Sequence, residues 1–302
     1  MIPFEYVEPT TLEETLEALG RYGDDAKLIA GGTGLLNLMK QRLVQPAYLI
    51  GLRRLTAIDG MNQIAEISGT DANYFRHFRI GALCTHREIE DSPLVHAHFP
   101  LLAETFRHVA SIRIRTVATL GGAVAHADPN QDPPPSLMAL DARVCVRSSQ
   151  GEREVGISEF FVDYYETILE LDEIVSAVIV PHQPAHSGAA FFKFLPQTHD
   201  DYATVAVAAR VTLDGNQMTD ARVALGAASA TPIRATAVED ALQGQQPTTG
   251  IIKDAAALVA DAVDPTDDFR GSAAYKRDMA VVFVQRAVEQ AVARAKERGG
   301  QI

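Results

Sequence analysis

The 302-residue chain is poor in cysteine, in positive charge and in long apolar runs. Cys84 and Cys145 are its two cysteines. Two thiolates cannot ligate an iron–sulfur cluster of the ordinary four-cysteine kind, so any such cluster in this protein's chemistry belongs to another chain. Both cysteines fall in strand-like runs and read as buried thiols. Lys and Arg number 27 against 39 Asp and Glu, a net charge of −12. That balance disfavours nucleic acid and anionic membrane as partners. No secretory leader precedes Pro3 and no apolar stretch approaches membrane-spanning length, so no membrane span and a reducing cytoplasm are expected. Gly-x-Ser-x-Gly, His-Glu-x-x-His and Cys-x-x-Cys are all missing, which leaves hydrolase and zinc readings without support. His96 and His98 stand one residue apart, but no cysteine or acidic partner sits at ligand spacing, so no metal site is expected.

Apolar residues make up 47% of the chain, enough for a full core in two domains of ordinary size. The stretch Thr116 to Asp132 stands out within it. It opens with residues that suit a strand, sets Gly121 beside Gly122, and ends in a small-residue run with Asp128 and Asp132. Adjacent glycines permit a sharp turn and a close ligand approach. Consecutive backbone N–H groups in such a turn form a concavity for anions such as phosphate. The two aspartates suit hydrogen bonds from sugar hydroxyls. A structural Gly-Gly turn between core elements is the other reading. A second stretch, Lys27 to Lys40, has the same character: an apolar strand, a turn with Gly31, Gly32 and Gly34, then an amphipathic helix. A glycine turn feeding a helix N-terminus offers unpaired donors and a positive dipole end. Two such loops are suited to grip one pyrophosphate from two sides. Neither has the Lys-Ser/Thr of a P-loop or the full Rossmann spacing.

The pair Ala30-Gly-Gly-Thr-Gly-Leu35 and Thr119-Leu-Gly-Gly-Ala-Val-Ala-His-Ala-Asp-Pro129 resembles the two FAD-binding loops of the molybdenum hydroxylase flavoprotein subunits. These are the medium subunits of the xanthine dehydrogenase and aerobic carbon monoxide dehydrogenase family. The opening Met1 to Leu12 and the run Asp201-Tyr-Ala-Thr204 are similar to the family's as well, and the resemblance covers nearly the whole chain. It implies an α+β fold, with a two-lobed PCMH-type FAD-binding domain and then a C-terminal domain of antiparallel sheet plus helices. It implies FAD in this chain, a molybdenum cofactor in a large partner subunit, and two [2Fe–2S] clusters in a small one. The expected assembly is a dimer of heterotrimers. The candidate cofactor-binding residues are Leu28, Ile29, Ala30, Gly31, Gly32, Thr33, Gly34 and Leu35 in the first loop. In the second they are Thr119, Leu120, Gly121, Gly122, Ala123, His126, Asp128 and Asp132. By resemblance Val109, Val175, Lys193 and Tyr202 join them, Lys193 near the flavin and Tyr202 over its ring. A core tyrosine is the alternative for Tyr202. The family often has Asp where this chain has Gly34, and Asn where it has Ala123. Both changes remove a side-chain partner near the cofactor but leave backbone donors in place.

In chain order, Thr11 to Glu14 fits a capping box, and the helix that follows places Leu12, Leu16 and Leu19 on one face. Strands are expected at 26–30 and 48–52, around a helix at 35–43 with Leu35, Leu38, Met39 and Leu43 inward. Strands at 64–68 and 78–83 follow, with a turn over 71–77. Thr85 suits the cap of a short helix, and Pro100 the start of a longer one. Ser111 to Thr116 alternates like a strand. Arg113 and Arg115 there read as a solvated strand face, with phosphate binding as the alternative. Pro133–Pro135 opens a helix or stiffens a loop. Strands are expected at 142–148 and 174–180, with Phe160 and Phe161 on a helical turn between them. The domain boundary falls at 181/182, with lobes of about 1–57 and 58–181 before it and residues 182–302 after it. Beyond it come a strand at 189–195, a hairpin turning at Asp214-Gly215, and helices at 235–243, 249–262 and 272–297. No catalytic acid, base or nucleophile is expected. A stand-alone FAD oxidoreductase with its own substrate pocket and a cofactor-free scaffold are the rival readings.

Overall fold

The computed structural model describes residues 1–55, 60–68, 76–196, 198 and 200–299. A small parallel sheet comes first. Strand Tyr48–Gly51 lies in its middle, with Glu5–Val7 on one side and Ala26–Ile29 on the other. Helix Leu12–Tyr22 covers it, and the capping box is complete: Thr11 Oγ1 accepts from Glu14 N, and the Glu14 carboxylate accepts from Thr11 N. Such a cap is worth about 1 kcal/mol.

A five-stranded antiparallel sheet follows, in the order Ile64–Ser68, Arg76–Gly81, Ile174–Pro181, Arg143–Ser148, Gly151–Gly156. Its last strand is not legible in the sequence, because Gly151-Glu-Arg-Glu-Val-Gly156 lacks an apolar face and lies at an exposed edge. The remaining sheet is a four-stranded antiparallel meander of Ser187–Phe194, Val205–Asp214, Gln217–Gly226 and Ile233–Arg234. The long helix Ala273–Gly299 packs on it. Side chains alternate across a strand, and this meander is buried on both sides. Phe191, Ala206 and Ala208 enter the core shared with the five-stranded sheet, while Val205, Val207 and Val211 enter the core beneath the long helix. The hairpin expected here forms, but its two-residue turn is Gly215-Asn216, with Gly215 at φ +58 and Asp214 still paired with Gln217.

Several elements differ from expectation. Residues 111–116 hold the helix Ile112–Arg115, not a strand. Four alternating residues also fit one helical turn, and Ser111 O accepts from both Ile114 N and Arg115 N. The strand expected before Gly121 is reduced to an isolated bridge between Thr119 and Thr85. Gly121 and Gly122 make no sharp turn; they occupy the first turn of helix Leu120–His126, capped by Thr119. Pro133–Pro135 opens helix Pro133–Ala139. Helix Leu35–Lys40 stops short of Leu43, which points outward and is 68% exposed. Phe160 ends a helical turn, but Phe161 begins the short strand Phe161–Asp163. Cys84 lies in the turn after Gly81 and not in a strand, though both thiols are buried and free. The turn expected at 71–77 falls mostly outside the described residues, with 76 and 77 already in a strand.

Candidate cofactor cleft between two glycine loops

The two glycine stretches meet in space. The first leaves strand Ala26–Ile29 and enters helix Leu35–Lys40; the second caps helix Leu120–His126. Their glycines are contact points as much as turns. A Cβ on Gly31 would collide with the Val117 carbonyl and come within 2.9 Å of Ala118 Cα. A Cβ on Gly34 would collide with the His126 ring, 2.7 Å from its Cδ2. A Cβ on Gly121 would fall 2.5 Å from the Ala82 methyl. Gly32 alone in the first loop needs positive φ, at +70.

The loops differ in what they offer a ligand. In the second, Leu120 N donates to Cys84 O at 3.0 Å, Gly121 N to Ala82 O at 2.8 Å, and Ala123 N to Thr119 O at 2.9 Å. Gly122 N donates to Thr119 Oγ1 at 3.1 Å. All four amides are spent on the fold. In the first loop the N–H groups of Gly32, Thr33, Gly34 and Leu35 have no partner among the described residues. Free amides of this kind suit an anion.

Both loops line one cavity of about 580 Å3. Of the residues singled out from sequence, Leu28 to Leu35, Val109, Thr119, Gly121, Gly122, Ala123, His126, Asp132, Val175, Lys193 and Tyr202 face it. Leu120 and Asp128 do not. Leu120 is a core side chain. Asp128 is buried behind the wall, where it accepts from Asn130 N at 3.0 Å and Asn130 Nδ2 at 3.1 Å. Its carboxylate also faces two phenols. Burial first, and then Asp128, push the Tyr165 hydroxyl up to about 12 and the Tyr202 hydroxyl well above its ordinary range. Tyr202 is 43% exposed and flanks the cleft, which removes the core-tyrosine alternative. Tyr165 lines the cavity too, at positive φ, its N–H bonded to Ala127 O. No local sequence signal marks it, because its place depends on a backbone bond to a residue 38 positions earlier.

Lys193 has the partner its apolar neighbours require. Its ammonium donates to Asp132 Oδ2 at 2.8 Å and to His108 O at 3.0 Å, and both side chains are nearly inaccessible. Burial raises the Asp132 carboxyl to about 6, against the pull of Lys193. Asp132 Oδ1 is buried with no partner among the described residues. Arg115 is neither a solvated charge nor a cleft residue. It donates to Glu90 Oε2 at 2.9 Å and to the carbonyls of Val109 and Ala110, which fixes the turn before the second loop. Arg113 is exposed. Among the described residues no group of three potential metal ligands comes together; His96 Nε2 bonds to Glu90 O and the His98 ring packs against Phe78.

His86 is a cavity residue that sequence reasoning missed. Its N–H donates to Ala118 O at 2.9 Å, and its Nε2 lies 3.2 Å from Thr119 O. A carbonyl only accepts, so Nε2 carries the proton. Burial, and to a lesser extent Arg115, lowers its pKa from 6.5 to about 4. Above pH 6.5 the ring is neutral folded or unfolded. Between 6.5 and 4 the unfolded chain takes up a proton that the folded one refuses, so stability falls with pH across that window. The loss should reach on the order of 3 kcal/mol by pH 4. Urea unfolding at pH 7 and pH 4.5, with wild type compared with His86→Gln, checks it: the variant should lose less on acidification. Equal losses would remove His86 as the cause.

A cleft that joins two glycine loops to a buried Lys–Asp pair and a flanking tyrosine defines a nucleotide-cofactor protein. Comparison with known proteins makes the class specific. A family model described as the FAD binding domain in molybdopterin dehydrogenase matches residues 2–183. A second, the CO dehydrogenase flavoprotein C-terminal domain, matches residues 190–291. The carbon monoxide dehydrogenase medium chain of Hydrogenophaga pseudoflava is 35% identical over 97% of this chain and 99% of its own. A 6-hydroxypseudooxynicotine dehydrogenase complex subunit alpha from Paenarthrobacter nicotinovorans is 34% identical over 97% and 96%. Among solved structures, a carbon monoxide dehydrogenase from Hydrogenophaga pseudoflava superposes with a TM-score of 0.91 at 36% identity, covering 97% and 99% of the two chains. Quinoline 2-oxidoreductase from Pseudomonas putida 86 gives 0.88 at 31% identity, covering 97% and 98%. The chain belongs to the FAD-binding medium subunits of the molybdenum hydroxylase family. It is thus a flavoprotein subunit of an oxidoreductase complex. No helix of the described residues is long and apolar enough to cross a membrane.

Proposed function

We propose that this chain carries electrons, through a bound FAD, from the [2Fe–2S] clusters of a small partner subunit to an external acceptor. A large partner subunit with the molybdenum cofactor oxidises the substrate. The observation that carries this reading is the single cleft shared by the two glycine loops, with unpaired amides at Gly32 to Leu35 on one wall and Lys193, Asp132 and Tyr202 on another. Those groups fit FAD: free N–H donors for a diphosphate, a half-open apolar hollow, and an aromatic residue at its mouth. When bound, FAD supplies the one- and two-electron chemistry, and the protein supplies grip, orientation and electrostatics. In this reading the first loop orients the diphosphate, Val109 and Val175 give apolar contact, and Asp132 accepts from a cofactor hydroxyl through its free Oδ1. Lys193 keeps Asp132 in place, and Tyr202 shields one face of the flavin from water. No side chain here acts as acid, base or nucleophile toward substrate. Residues 1–181 form the FAD-binding domain, with lobes of about 1–57 and 58–181, and residues 182–302 the C-terminal domain. The complex is a dimer of heterotrimers in the cytoplasm, where the free thiols of Cys84 and Cys145 suit reducing conditions.

Affinity purification of the tagged chain from its own source tests this. Two co-purifying subunits, with flavin, molybdenum and iron in the eluate, are the expected result. A yellow monomer that turns over a substrate alone would favour a stand-alone flavin oxidoreductase. A colourless chain that takes up no added FAD would favour a scaffold.

A further inference from the structure

Because the amides of the second loop are spent, that wall must contribute to the cofactor by other means. Its most prominent free group is the imidazole of His126. The ring lies against Gly34 of the first loop, in the space that a side chain at position 34 would fill. It packs edge-on against Tyr165, with centroids 5.2 Å apart. It lines the cavity, and neither of its nitrogens has a hydrogen-bond partner among the described residues. One side of the cleft thus has unpaired amides on an uncharged loop. The other has an unpaired, chargeable donor directly opposite.

We propose that His126 is the charge-bearing side chain that grips the diphosphate of the cofactor, substituting for the side chain absent at Gly34, and that it takes up a proton from solvent when the cofactor binds. The proposal rests on the FAD reading above and makes it more specific. Burial keeps the ring below its usual pKa in the free cleft, with Asp128 pulling the other way. Tyr165 faces it from the hairpin after Phe161, and the loop from Gly31 to Leu35 brings no titratable group. The empty cleft therefore holds a neutral imidazole near pH 7. A diphosphate carries two negative charges, and an opposite charge in contact favours the protonated ring. A donor that becomes cationic on binding forms the stronger, charge-assisted hydrogen bond.

The test uses the full chain stripped of flavin. FAD affinity is followed by quenching of flavin fluorescence from pH 6 to pH 8, and proton uptake by calorimetry in two buffers of different ionisation enthalpy. Wild type should bind about three- to sixfold more weakly at pH 8 than at pH 6, the part of a one-unit pKa rise that this range spans, with proton uptake on binding at pH 7. His126→Gln keeps a neutral donor. It should bind several-fold more weakly at pH 6, about three- to eightfold for a one-unit rise, and lose most of the pH dependence; Asp132 and His86 also titrate in this cavity, and any slope they cause would survive the change. Gly34→Ser should displace the ring and reproduce the loss, and the double variant should lose no more, since residues acting as a unit are not additive. The inference is overturned if FAD binds but His126→Gln keeps the wild-type pH profile and proton uptake. Failure of wild type to bind FAD at any pH would instead overturn the FAD reading itself.

Discussion

A single methyl group on Gly31 should strip the chain of flavin. Gly31→Ala places a Cβ on top of the Val117 carbonyl and 2.9 Å from Ala118 Cα. Both obstacles are backbone, and neither has a rotamer to move into. The Val117 segment is itself held: Ala118 O accepts from His86 N, and Ala118 N donates to Ile114 O. Relief must come from the two loops moving apart. Overpacking of this kind costs about 1–3 kcal/mol where the structure can yield. Here the yielding coordinate is the width of the cleft, so most of the cost should appear in cofactor binding. The expected result is a folded protein with an FAD affinity reduced by about 100-fold, or roughly 2.7 kcal/mol. Flavin-to-protein absorbance ratio, fluorescence titration and far-ultraviolet circular dichroism measure it. Gly20→Ala is the matched control. Gly20 lies in helix Leu12–Tyr22 with nothing within 4 Å of its missing Cβ, so flavin content should not change and helix propensity should add about 0.8–1 kcal/mol. A Gly31→Ala protein that purifies with wild-type flavin content would show that the loops do not form the cofactor cleft.

That prediction depends on contacts the sequence does not display. The paired glycines point to two stretches that line one cavity, but the reason for them changed. Gly121 reads as a turn and proves to be a helical residue that lets the helix lie on Ala82; local spacing cannot reveal a neighbour 39 residues away. Signals that close within a few residues were legible: the capping box at Thr11 and Glu14, the Asp214-Gly215 hairpin, the apolar face of helix Leu12–Tyr22. Lys193 is an intermediate case. A lysine set among Phe191, Phe192 and Phe194 needs a partner, yet only the fold brings up Asp132 from 61 residues earlier. Ser111 to Thr116 misled because Ile-Arg-Ile-Arg satisfies a period of two, while the hydrogen bonds of Arg115 to the Val109 and Ala110 carbonyls hold the segment helical. His86 and Tyr165 gave no signal, since each is placed by backbone bonds to a distant loop.

The second large effect lies outside the cleft, at Asp141, and it should decide whether the chain holds together. Asp141 follows helix Pro133–Ala139 and receives three arginines from the C-terminal meander. Arg210 donates to its Oδ2 at 3.0 Å, Arg222 to both oxygens at 3.1 and 3.2 Å, and Arg234 to its Oδ1 at 3.0 Å. Asp220 and Glu239 complete the cluster, Asp220 pairing with Arg210 at 2.6 Å and with Arg222, and Glu239 pairing with Arg234 at 2.6 Å. Three positive and three negative charges therefore balance. Arg210 is only 5% exposed, and its Nε already lacks a partner, so it tolerates no further loss. Asp141 also sits at φ +54, a conformation that asparagine accepts. Asp141→Asn thus keeps the backbone and removes only the charge. Breaking a buried ion pair costs about 3–5 kcal/mol because the partner charge remains buried. The Asp141 side chain is 34% exposed, and screening by water argues for the lower end, about 3 kcal/mol. For a chain of 302 residues that corresponds to a fall in Tm on the order of 5 °C. The contrasting variant is Glu154→Gln, which breaks the exposed pair with Arg143 and should cost less than about 1 kcal/mol. Thermal unfolding of wild type and both variants settles the matter: an Asp141→Asn protein that melts with Glu154→Gln would mean that the three arginines find water or other acceptors, and that apolar packing between the two cores holds the meander in place.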